Sequence, residues 1–214
     1  MRPGLYAILD LPDPAGHEVA AHARALVTGG ATTLQLRAKY ATTGERSMLL
    51  RAMLPVAQDA GVPLVVNDDL EAALAIPGVW GVHLGQEDLA TLDEPARAAV
   101  RDAGLGLGVS THDLDQVAEA RAYDPDYIGF GPVFSTMTKE DAEPVVGVDA
   151  LARAVALSAV PVVAIGGLDG PRAIPCVRAG ATAVAMIGAL RGPSTDAVEA
   201  RARAAWVHIE QLYQ

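Results

Sequence analysis

The sequence predicts a single-domain (β/α)8 barrel over residues 1–214, and three observations predict it. Short apolar runs alternate with longer helical patterns along the whole chain, which favours parallel strands joined by right-handed crossovers. Eight such units in 214 residues match a compact barrel near the lower end of its usual size. Polar residues and glycines recur after nearly every strand. A doubly wound open sheet, the structural alternative, carries fewer strands and gathers its binding signals at one switch point.

Strands are expected at 4–10, 32–39, 63–67, 81–84, 106–110, 127–132, 161–166 and 183–187, with helices among the intervening segments at 16–28, 45–60 and 114–122. A last helix, about 197–213, closes the chain. Hydrophobic residues make up 51% of the chain but aromatics only 4%, so the core is expected to be mainly Ala, Val, Leu and Ile. Cys176 is the one cysteine and has no internal disulfide partner, which fits a reducing cytoplasm. The first residues lack an apolar signal region, and no apolar run approaches the ~20 residues of a membrane span. A cytoplasmic protein with no membrane partner is expected. The net charge of −10 argues against a nucleic-acid partner, while leaving room for a local anion site. Of the 16 basic residues only Lys39 and Lys139 are lysines.

In such a barrel the active site lies at the carboxyl-terminal strand ends. The second strand ends Gln35-Leu36-Arg37-Ala38-Lys39, and a two-residue period puts Gln35, Arg37 and Lys39 on one face. Arginine offers a planar fork and lysine a compact charge for phosphate oxygens. The third strand ends Asn67-Asp68-Asp69, where asparagine and aspartate either face the mouth or cap a helix. The fourth runs through His83-Leu84-Gly85 to Asp88. Asp68 and Asp88, on neighbouring strands, suit Mg2+, which takes one or two carboxylates plus substrate phosphate oxygens. His83 reads more readily as a hydrogen-bonded core histidine, and no set of His and Cys ligands suggests zinc.

Ser110 ends the fifth strand without any nucleophile signature, and Thr111 or Asp113 is a candidate helix cap. After the sixth, Ser135-Thr136-Met137-Thr138-Lys139 opens a polar loop, read as ligand contacts or a lid. Gly166-Gly167 and Ile187-Gly188 follow the seventh and eighth strands, where bare backbone N–H groups approach a phosphate. The tally is two anion sites, one cationic and metal-associated for a diphosphate, one glycine-lined for a monophosphate.

Taken in order, Gln35-Leu36-Arg37-Ala38-Lys39, Asn67-Asp68, Gly85-Gln86-Glu87-Asp88, Gly108-Val109-Ser110, 131–139 and Gly166-Gly167 resemble thiamine-phosphate synthase. The resemblance implies a transferase that joins an aminopyrimidine methyl diphosphate to a thiazole ethyl phosphate and releases pyrophosphate. It implies that Gln35, Arg37, Lys39, Asn67, Ser110 and Lys139 contact the pyrimidine diphosphate. It assigns Mg2+ to Asp68 and Asp88, and the thiazole phosphate to Thr136, Thr138, Gly167, Ile187 and Gly188. Arg37, Lys39 and Lys139 then stabilise the departing pyrophosphate. Two positions depart from the family pattern: Gly188 stands where serine is frequent, and Ser135 where proline is frequent. The related thiazole tautomerase and a non-catalytic phosphate-ligand sensor are the alternatives, and a homo-oligomer stays open.

Overall fold

A computed structural model describes residues 1–11, 18–136 and 143–213. Eight parallel strands close on themselves in sequence order, with β1 paired to both β2 and β8. They are β1 (Gly4–Asp10), β2 (Ala31–Arg37), β3 (Leu64–Asn67), β4 (Gly81–Leu84), β5 (Gly106–Thr111), β6 (Tyr127–Phe130), β7 (Val162–Ile165) and β8 (Ala183–Met186). The expected barrel is present.

Each strand is buried on both faces, but the two faces do different work. Leu5, Leu34, Leu36, Val66, Val82 and Ile128 belong to the aliphatic layer between barrel and helices. The lumen face carries Tyr6, Ile8, Val65, Tyr127, Val163, Ala183 and Ala185. The expectation of a core mainly of Ala, Val, Leu and Ile holds in both layers, with Tyr6 and Tyr127 as the exceptions in the lumen. Two tyrosines occupy the lumen, and glycines make room for the rings of Tyr127 and Trp80. A methyl at Gly108 would lie 2.2 Å from Tyr127 Cζ, and one at Gly106 would lie 2.3 Å from the Trp80 ring. Gly108→Ala should therefore lower stability by about 2 kcal/mol, in the range of core overpacking. An unchanged urea midpoint would show that the lumen has slack.

The helices start where local chemistry says they should. Thr42 and Glu45 form a reciprocal capping box at α2 (Thr43–Ala60), after α1 (Val19–Thr28). Aspartate side chains cap α3 (Leu70–Leu74), α5 (Glu94–Asp102), α6 (Leu114–Glu119) and α8 (Gly170–Arg178). Gly85 precedes α4 (Gln86–Thr91), α7 spans Gly147–Leu157, and Ser194 caps α9 (Thr195–Val207). Two helical expectations are corrected. The 114–122 segment divides into α6 and a 3-10 turn at Ala120–Tyr123. The last helix ends at Val207, and a 3-10 turn at Glu210–Leu212 follows. Among the described residues no helix is long and apolar enough to cross a membrane.

Candidate active site

Strand register places the described residues named from the sequence at the carboxyl-terminal mouth. The inward positions of β2 are Thr33, Gln35 and Arg37, and the strand ends there, two residues earlier than expected. Lys39 lies in the following turn, exposed, with Nζ 5.7 Å from the Tyr40 ring centroid. Arg37 Nη1 donates to Asp10 Oδ1 at 2.7 Å, and Arg191 Nη2 donates to the other oxygen of the same carboxylate. Asp10 is only 6% exposed in this pair of bonds, and it holds the guanidinium of Arg37 in a fixed place at the rim.

Asn67 ends β3, and Asp68 follows in the left-handed region at φ 60°, its N–H donated to His83 O at 2.9 Å. Asn67 Nδ2 donates to Asp68 Oδ2. Of the alternatives at this strand end, capping falls to Asp69, whose Oδ1 accepts from Ala72 N at 2.8 Å. Asp68 is exposed at the rim, and so is Asp88 in the first turn of α4. The carboxylate of Asp88 lies over Gly85, 3.7 Å from where a β-carbon would stand. Two hard oxygen donors on adjacent strand ends fit a magnesium ion that keeps water and substrate oxygens in its other positions. Among the described residues no group of three or more His, Cys, Asp or Glu side chains converges on one point.

Across the lumen a chain of polar side chains joins the strands. Gln35 Nε2 donates to Tyr6 Oη at 2.9 Å, and Tyr6 and Tyr127 hydroxyls are 2.8 Å apart. Tyr127 Oη is 3.0 Å from His83 Nδ1, and His83 Nε2 is 2.9 Å from Ser110 Oγ. The imidazole also stacks on the Tyr127 ring, centroids 5.5 Å apart. His83 is hydrogen-bonded as expected, but it is half-buried and lines the mouth cavity instead of sitting in the core. Burial pushes both phenols well above their ordinary range, so each keeps its proton at neutral pH. Burial likewise raises the Cys176 thiol to about 11, leaving it no part in thiolate chemistry.

A small cavity of about 40 Å3 above this chain is lined by Gln35, Arg37, Asn67, His83 and Ser110, among others. A larger one of about 380 Å3 is lined by Thr136, Gly166, Gly167, Ile187 and Gly188, with His112 and Arg172. Ile165, Ala185 and Ile187 line both cavities. The two halves of the mouth therefore share one apolar wall.

The glycines after β7 have a structural cause of their own. Gly167 has φ 63°, and a β-carbon there would meet Ser135 O at 2.3 Å, while Gly166 is pressed against Pro132. The segment after β6 is thus held against the turn after β7, with Phe134 N donated to Gly166 O at 3.1 Å. Gly188 opens a three-residue 3-10 turn, Gly188–Leu190. Thr138 and Lys139 lie outside the described residues.

Several groups were missed by sequence reasoning, Asp10, Tyr127 and Arg172 among them. Asp10 had a signal: Tyr6, Ile8 and Asp10 share the inward period of β1. Tyr127 had the same signal on a strand read only for its far end. Arg172, whose Nη1 donates to Gly167 O at 2.9 Å and whose guanidinium covers the Phe134 ring, had none.

A closed barrel whose rim gathers arginines, paired carboxylates and glycine turns around two adjoining cavities defines a (β/α)8 enzyme for anionic small molecules. Residues 5–190 match the family model described as thiamine monophosphate synthase. The chain is 36% identical over 208 residues to a thiamine-phosphate synthase of Chloroflexus aurantiacus, covering 97% of this chain and 94% of that one. A Bacillus velezensis protein of the same name is 41% identical over 169 residues, covering 77% and 73%. Among solved structures, a thiamine phosphate pyrophosphorylase from Pyrococcus furiosus superposes with a TM-score of 0.81 at 29% identity, covering 99% and 97%. The chain belongs to the thiamine monophosphate synthase family.

Proposed function

We propose that this chain is a thiamine-phosphate-forming transferase, joining an aminopyrimidine methyl diphosphate to a thiazole ethyl phosphate with release of pyrophosphate. One observation carries the reading: the cavity lined by Gln35, Arg37, Asn67 and Ser110 adjoins the glycine-lined cavity across the shared wall of Ile165, Ala185 and Ile187. Two substrates seated on the two sides have their reacting atoms brought together at that wall.

The chemistry asked of the protein is modest. The bond between the pyrimidine methylene and the diphosphate oxygen breaks, and the electron pair leaves with pyrophosphate. The thiazole nitrogen lone pair then forms the new carbon–nitrogen bond. Arg37, Lys39 and Lys139 stabilise negative charge on the leaving group. Asp68 and Asp88 would hold Mg2+, which supplies Lewis-acid charge neutralisation to the same phosphates. Gln35, Asn67 and Ser110 orient the pyrimidine diphosphate. Thr136, Thr138, Gly167 and the Ile187-Gly188 turn hold the thiazole phosphate. The apolar wall keeps water from the cationic methylene, which would otherwise be captured as an alcohol. No protein nucleophile is required. In this reading the enzyme works in the cytoplasm on diffusible substrates.

The test is incubation of the purified chain with both phosphorylated precursors, with and without magnesium, assayed for thiamine phosphate and pyrophosphate. Magnesium-dependent formation of both products is expected. Interconversion of thiazole isomers without either product would favour the tautomerase and overturn the reading.

A further inference from the structure

The lumen chain contains more polar atoms than a barrel core needs, and its hydrogen-bond direction is set by counting donors. Tyr6 is 2% exposed, and its hydroxyl has two partners, the Gln35 amide nitrogen and the Tyr127 hydroxyl. The amide nitrogen only donates. Tyr6 must therefore spend its one proton on Tyr127. Tyr127 is fully buried and already accepts from Tyr6, so its own proton goes to His83 Nδ1. An Nδ1 that accepts leaves Nε2 as the protonated nitrogen, and it donates to Ser110 Oγ. Ser110 then has its own proton left for the cavity it lines. At the other end, Gln35 has turned its amide nitrogen inward, and its Oε1 takes no hydrogen bond among the described residues. With the Gln35 amide nitrogen inward, any other direction orphans a buried phenol proton, at a cost comparable to the whole net worth of a hydrogen bond.

We propose that Tyr6, Tyr127 and His83 are positioning residues that polarise the seat of the first substrate, fixing Gln35 as an acceptor through Oε1 and Ser110 as a donor. The ligand class that fits is a heteroaromatic ring with an amino group facing Gln35 and an acceptor atom facing Ser110. The identity of that ring as the aminopyrimidine rests on the transferase reading above; the polarity of the chain does not. Gln35 and Ser110 are coupled across the barrel. Turning the Gln35 amide over would reverse every bond between them and convert Ser110 from donor to acceptor.

The test reads the tautomer directly. Nitrogen-15 spectra of the full-length, ligand-free protein, with His83 assigned by comparison with His83→Gln, should show Nε2 protonated and Nδ1 bare. A protonated Nδ1 overturns the proposal. Tyr127→Phe keeps the ring that stacks on His83 and removes the proton it receives, so the imidazole should lose its single tautomer. It should also raise the KM for the pyrimidine diphosphate roughly tenfold, the worth of one hydrogen bond, and leave the thiazole phosphate KM unchanged. A fixed tautomer in Tyr127→Phe, or equal rises in both KM values, counts against it. Should that variant not fold, the wild-type spectrum still decides. A chain with the expected tautomer that makes no thiamine phosphate sinks the transferase reading alone, and an active chain with Nδ1 protonated sinks the relay alone.

Discussion

Asp69→Ala should lower the stability of the fold by about 3 kcal/mol, while Asp68→Asn, one residue earlier, should melt like the wild type and lose turnover. The two carboxylates differ only in their surroundings. Asp69 is 4% exposed, caps α3 through Oδ1, and takes Arg46 Nη1 on Oδ2 at 2.9 Å. Arg46 in turn donates to Ala38 O and Lys39 O, at 3.1 and 3.2 Å. One ion pair thus ties α2, α3 and the turn that carries Lys39. Removing Asp69 leaves a guanidinium that is 17% exposed without its counter-charge, and breaking such a pair costs about 3–5 kcal/mol when fully buried. The partial exposure of Arg46 argues for the lower end. Asp68, by contrast, is exposed at the rim at φ 60°, a conformation asparagine also tolerates. Urea midpoints at constant slope separate the two variants. Equal losses of stability in both would show that the rim carboxylate is part of the scaffold.

The same pair of residues shows where sequence reading stops. The barrel was legible because each strand had to be apolar on both faces, and the first and fourth strands fall at 4–10 and 81–84 as the pattern says. The second overran because Ala38 and Lys39 continue the alternation past the last ladder bond. What ends it is a turn closed by Ala41 N on Ala38 O at 3.1 Å, a bond no periodicity encodes. The aspartate that caps the helix is also the one paired with Arg46, more than twenty residues away, a contact no local pattern encodes, so two adjacent aspartates looked alike. The rim was legible in kind: Gln35, Arg37, Asn67 and Ser110 do line one cavity. The lumen chain was not. Its bonds join residues 121, 44, 29 and 27 apart in sequence, and they exist only once the strands have closed.

Gly188 looked like a missing donor when serine was taken as the family pattern. In the structure the cavity it lines also receives Arg172 and His112, so that half of the mouth has polar side chains besides the 3-10 turn. His112 Nδ1 is 2.6 Å from Gly131 O, which orients the ring against the segment leading to Thr136. On the transferase reading, phosphate recognition there does not rest on one hydroxyl.

Asp88→Ala should leave the melting transition within about 0.5 kcal/mol of wild type, as expected of an exposed site with few contacts, and lower kcat by roughly 100- to 1,000-fold. The helix does not need this side chain. Leu89 N donates to Gly85 O at 2.9 Å to close the first turn of α4, and Leu89 is the residue that anchors it in the core. The Asp88 carboxylate makes no hydrogen bond or ion pair among the described residues, and it lies exposed over Gly85. A charge kept in the first turn of α4 with no partner among the described residues is available to a ligand, and with Asp68 at the adjacent strand end the hard-oxygen set suits magnesium. Raising magnesium in the assay should therefore recover part of the lost rate in Asp88→Ala by mass action, and less in a double variant with Asp68→Asn, where no carboxylate anion remains. Full turnover by Asp88→Ala at the wild-type magnesium requirement would remove Asp88 from the metal site. A lower melting point with proportionate loss of activity would instead make the residue structural.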